Sequence, residues 1–137
     1  MRKKVTCGVL SALLLMLVST TAFALDTRAS SRIMSYSAES RVGSDGNLNI
    51  FFSITASSTM DVIGASRIDV QRYSGSRWVT ECAITVKDEP EMQTSDAVRH
   101  STIITYAPIY SDSDYRAIVT VYAKDSSGFS TAQVTTK

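Results

Sequence analysis

One histidine, two cysteines, two prolines and one tryptophan occur in 137 residues, and each shortage excludes a class of chemistry. A Ser-His-Asp or Cys-His arrangement has only His100 to recruit, and no G-x-S-x-G elbow surrounds any serine. Zinc would need carboxylate ligands, since neither an H-E-x-x-H nor a paired C-x-x-C spacing is present. His100, next to Arg99 at the start of an expected strand, is read as a polar strand-edge residue. Helix is excluded on similar grounds, because no window beyond residue 24 carries an i, i+3, i+4, i+7 apolar stripe.

The only long apolar run, Val9 to Val18, follows Arg2, Lys3 and Lys4 and closes on Ala22, Phe23 and Ala24. This is the pattern of an export signal with an A-x-A cleavage site, and the run is shorter than the roughly 20 residues a membrane-spanning helix needs. Residues 1–24 are therefore expected to be removed, leaving 25–137 as a single secreted domain. Cys7 lacks the flanking residues of a lipid-anchor site and should leave with the leader. That leaves Cys82 without an intrachain partner, as a buried small apolar side chain. The leader also takes three of the 14 Lys and Arg, leaving 11 against 13 Asp and Glu and a formal charge of −2. Such a balance argues against nucleic acid and, after cleavage, against a membrane as partner.

What remains is alternation. In DYRAIVTVYAK, residues 114–124, Tyr115, Ala117, Val119, Val121 and Ala123 share one parity while Arg116, Thr120 and Lys124 take the other, the period of a half-buried strand. Leu48, Ile50, Phe52, Ile54 and Ala56 repeat the pattern after the turn cluster at residues 43–47. Further strands are expected at 32–38, 65–73, 77–86, 101–107 and 129–136. Ser74, Gly75 and Ser76 should join the third and fourth as a hairpin. Residues 87–98, with Pro90 and four acids, are expected to form a long exposed connection. About seven short strands in one domain predict an all-β, two-sheet antiparallel sandwich, with a barrel as the competitor.

Two segments, IDVQRYSGSRWV (68–79) and DYRAIVTVYAKDSSG (114–128), resemble the central hairpin and penultimate strand of fibronectin type III domains, and so imply an immunoglobulin-like arrangement. In that family a tyrosine at the position of Tyr115 often returns its hydroxyl to the preceding corner. The chain beyond residue 24 also resembles small secreted β-sandwich proteins of Gram-positive bacteria, clostridia among them, through GASRIDVQRYSGSRW and YRAIVTVYAK. That likeness implies no activity.

Two acidic pairs and the aromatics complete the candidates. Glu89 and Glu91 flank Pro90, and Asp112 and Asp114 flank Ser113; such pairs can serve acid/base chemistry or Ca²⁺, but between strands they are ordinarily solvated turn residues. Trp78 shares its parity with Cys82, Ile84 and Val86 and is expected inside as a structural residue, like Tyr115. Tyr122 has the parity opposite to Val121 and should face outward with Ile118, forming a possible interaction surface. The sequence thus favours a secreted, non-catalytic binding module without cofactor, for a protein or glycan partner. The alternative is a small secreted hydrolase or Ca-dependent module using the acidic loops.

Overall fold

In the computed structural model, which describes residues 32–136, the alternating segments become strands β1 (Ile33–Val42), β2 (Leu48–Ser74), β3 (Arg77–Thr85), β4 (Gln93–Tyr106), β5 (Tyr115–Asp125) and β6 (Gly128–Thr135). The expected leader and Cys7 lie outside the described residues. The all-β expectation holds. Every strand pairing is antiparallel and all six strands belong to one sheet.

β2 organises that sheet. Its first part is flanked by β1 and β4, its last part by β5 and β3, and at Val62, Ile63 and Gly64 it is held by β4 and β5 together. The two separate strands expected at 48–56 and 65–73 are therefore one element, which reduces the strand number to six. Between them β2 bends: Thr55 pairs with Arg99 and Met60 with Ala97, so β2 advances five residues while β4 advances two. Ser57, Ser58 and Thr59 are the surplus, exposed on the outside of the bend. Such a bulge turns the strand without ending it. The inner faces of both parts thereby meet in one core, with Ile50, Phe52, Ile54, Ile63, Ile68, Val70, Ile84, Val119 and Val121 all fully buried.

Gly64 permits the closest approach at the bend. Its φ is +152°, and a Cβ there would lie 2.0 Å from the Met92 carbonyl oxygen, a separation only glycine avoids. Met92 belongs to a 3-10 turn, Pro90–Met92, and is itself fully buried. The expected long exposed connection over 87–98 is thus corrected: the link is short, and residues 93–98 already belong to β4. Gln93, Thr94 and Ser95 pair with β2 through their backbone, which needs no apolar period in the side chains.

The expected hairpin is present, with Tyr73 opposite Trp78, Ser74 opposite Arg77, and Gly75 and Ser76 at positive φ, as a two-residue type I′ link requires. Trp78 is not in the core, however. Gln71 pairs with Thr80 while Val70 pairs with Cys82, so Glu81 is an extra residue in β3. A bulge of one residue reverses the parity on either side of it. Cys82 and Ile84 consequently point inward, whereas Trp78 lies on the outer face. Cys82 is fully buried, as expected.

Candidate interaction surfaces

The bulge at Glu81 creates a polar cluster at the end of the core farthest from the bend. Glu81 is only 7% exposed as a side chain. Tyr106 donates its hydroxyl hydrogen to Oε2, and Tyr115 donates to Oε1 at 2.9 Å. Arg72 Nε stands 3.4 Å from Oε1, an ion-pair contact that leaves this nitrogen without a well-aligned hydrogen bond, and its guanidinium lies 4.1 Å over the Tyr110 ring. Burial chiefly, then the nearby Glu81 carboxylate, pushes the Tyr106 hydroxyl far above its ordinary titration range. Tyr115 is raised first by burial, opposed by the hydrogen bond it accepts from the backbone N–H of Tyr110 and reinforced by Glu81. Tyr115 thus ties β5 to the corner five residues before it and to β3. The carboxylate is met by two hydroxyl donors and an arginine, an arrangement that ties β2, β3, β4 and β5 together.

The outer face over β3, β2, β5 and β6 is open. Trp78 packs against Tyr73 at 5.2 Å, and Arg116 covers its ring at 4.3 Å while Arg116 Nε donates to Gln71 Oε1 at 2.8 Å. Farther along β5, Ile118 and Tyr122 are half-buried on the same outward parity, and Ala117, Val119, Val121 and Ala123 are buried. Tyr122 stacks on Phe129 at 5.6 Å with the rings 27° apart, and Phe129 is 62% exposed. Phe129 was missed in the sequence, although the 125–128 turn places it opposite Lys124, diagonal to Tyr122.

The remaining candidates are engaged singly. His100 Nε2 meets the Glu91 backbone oxygen at 2.7 Å and its ring approaches Phe52 edge-on, pinning the 3-10 turn to β4. Glu89 is buried, while Glu91, Asp112 and Asp114 are exposed. Among the described residues no three His, Cys, Asp or Glu side chains come together to hold a metal, and no helix is long and apolar enough to cross a membrane.

A third feature lies between the end strands of the sheet. Arg32, just before β1, reaches Asp125 at 3.1 Å, Ser127 at 2.7 Å and Ser130 at 3.3 Å, and at the other end Ser40 and Thr136 share a hydrogen bond of 2.7 Å. Between these clasps β1 and β6 leave a groove of about 510 Å³, lined by residues 36–41, Val134 and Thr135. No family model matches the chain, and neither does any curated protein or solved structure.

Proposed function

We propose that this chain is an exported, non-catalytic interaction module, built as a two-layered immunoglobulin-like domain, that binds a protein or glycan partner at the cell envelope or outside the cell. One observation carries the reading: the Tyr122–Phe129 stack, with Phe129 exposed, lies on the outward face of paired strands, the face that Ile118 shares farther along β5. Rings held by a rigid sheet offer contact area at little entropic cost, to sugar rings or to apolar side chains. The groups that could carry acid/base chemistry support the same reading, since Glu81 and His100 are each occupied by structural hydrogen bonds.

A pull-down from the producing cell's envelope and culture fluid, using the secreted protein and its Tyr122→Ala variant, tests the binding. A partner retained by the first and lost from the second is expected; equal retention overturns the role of this face. Turnover of a glycan, ester or peptide substrate would overturn the non-catalytic reading if His100→Ala or Glu81→Gln abolished it. Mass spectrometry of the secreted species tests the export route. A chain beginning at Leu25 is expected, and a chain retaining Cys7 overturns leader cleavage.

A further inference from the structure

Four strands have one ladder partner each among the described residues: β1, β3 and β4 pair only with β2, and β6 only with β5. Side chains clasp β1 and β6 to each other near both ends, and Glu81 interrupts β3 as a bulge. β4 is left long and regular. Its residues 99–106 keep an unbroken register with residues 48–55 of β2, and among the described residues no turn or loop backbone bonds to them. A strand laddered on one side only is a template for another strand on its free edge. Natural edges are usually guarded by charge or proline, yet HSTIITY, residues 100–106, contains neither Lys, Arg, Asp, Glu nor Pro.

The outward side chains set the same stretch apart. Ile103 stands opposite Phe51, and the two are 58% and 38% exposed. Polar pairs flank them on the same face: Ser101 donates to Ser53 at 2.9 Å, and Thr105 donates to Asn49 Oδ1 at 3.0 Å. Polar, apolar, polar is a pattern that reads alike in both directions along β4.

We infer that β4 pairs antiparallel with β4 of a second copy of this chain, about a two-fold axis at Ile103. Such a pairing is self-complementary, as a two-fold interface requires. Ile103 faces its own counterpart, and Ser101 faces the partner's Thr105. Directly opposite residues of an antiparallel pair share a face, so Phe51, Ile103 and their two counterparts form one apolar row across four strands. Hydroxyls meet hydroxyls on either side of that row. A slip of two residues would set Ile103 against Ser101 or Thr105 instead, so the apolar pair fixes the register. Arg99 lies beyond the paired stretch and faces the partner's Ala107, so no like charges meet. A ladder of this length is a small interface, and the dimer it forms is weak, with a Kd on the order of 10 μM. The edge is separate from the Tyr122 face and does not depend on the function proposed for that face.

Sedimentation velocity of the secreted protein over a range of concentrations should show a monomer–dimer equilibrium. Ile103→Lys sets two ammonium groups face to face and should weaken dimerisation about a hundredfold, with its melting temperature checking that the fold survives at this exposed position. Engineered cysteines read the register directly, because opposite Cβ atoms of a ladder lie within disulfide reach. On mild oxidation Ile103→Cys should crosslink to itself. Thr105→Cys should not, but should crosslink when mixed with Ser101→Cys. These crosslinks decide the matter should Ile103→Lys fail to fold. A protein still monomeric at about 1 mM, a dimer that Ile103→Lys leaves intact, or Thr105→Cys joining to itself as readily as Ile103→Cys overturns the proposal.

Discussion

Where β2 bends, the core is closed by backbone: Gly64 lies under the Met92 carbonyl with no room for a methyl group. At the opposite end Arg72, Glu81, Tyr106, Tyr110 and Tyr115 close it with side chains, through two hydroxyl donors, an ion pair and a cation over a ring. The first closure is steric and responds to volume. The second is electrostatic and responds to charge and pH. The same sheet therefore has one end that a methyl group can break and another that the loss of protons at high pH can loosen.

Gly64→Ala is the most severe way to test the steric end. The new Cβ clashes with backbone rather than with a mobile side chain, and the residue must also hold φ +152°. A loss of about 3–5 kcal/mol is expected, a fall in Tm on the order of 15–20 °C for a domain of this size. Thermal unfolding checks it, and a change within a degree or two would mean that β4 can move off β2 freely. Gly75→Ala, with nothing within 4 Å of its added Cβ, should cost far less.

At the electrostatic end, Glu81→Ala strands two tyrosine hydroxyls and the Arg72 guanidinium together. About 2–4 kcal/mol is expected in urea unfolding. Tyr106→Phe removes a single donor, for about 1 kcal/mol, but has a sharper signature at high pH. A hydroxyl whose folded pKa lies above its unfolded value contributes stability that is complete below about pH 10 and lost as pH rises beyond it. The wild type should therefore weaken steeply above pH 10, and Tyr106→Phe should flatten that slope. Parallel alkaline curves for the two proteins would remove Tyr106 from the account.

These two ends also mark what was legible in the sequence. Strict alternation identified β5, the first half of β2 and the outward parity of Ile118 and Tyr122, because a buried face leaves a period of two. The continuity of β2 was hidden by Ser57, Ser58 and Thr59, which interrupt the alternation and serve as a bulge. Trp78 was misplaced for a related reason: one extra residue at Glu81 reverses the parity, and no local residue type announces it. The first turns of β4 were invisible because their backbone pairs while their side chains face both ways. Glu81 could not be found at all, since its value lies in Tyr106 and Arg72, which approach it only after β2 has folded the sheet over.

The smallest expected effect concerns a second Arg–carboxylate pair, Arg32 with Asp125, at the steric end. Asp125 is held at about 2, below its ordinary 3.8, first by the Ser127 hydroxyl, then by the Ser127 backbone N–H and by Arg32. These donors lie at the surface, with Arg32 and Asp125 side chains 20% and 30% exposed, so solvent and salt screen the pair far more than they screen Glu81. The sign follows from the lowered value: the contribution is present above pH 3.8 and disappears as pH falls toward 2. Asp125→Asn should lower Tm slightly at neutral pH, and the gap from wild type should close on acidification and shrink in high salt. Glu81→Ala should keep most of its deficit in salt. If salt erased both deficits equally, the contrast between a buried and a surface closure would fail, and the Glu81 cluster would have to be as wet as the clasp on β1.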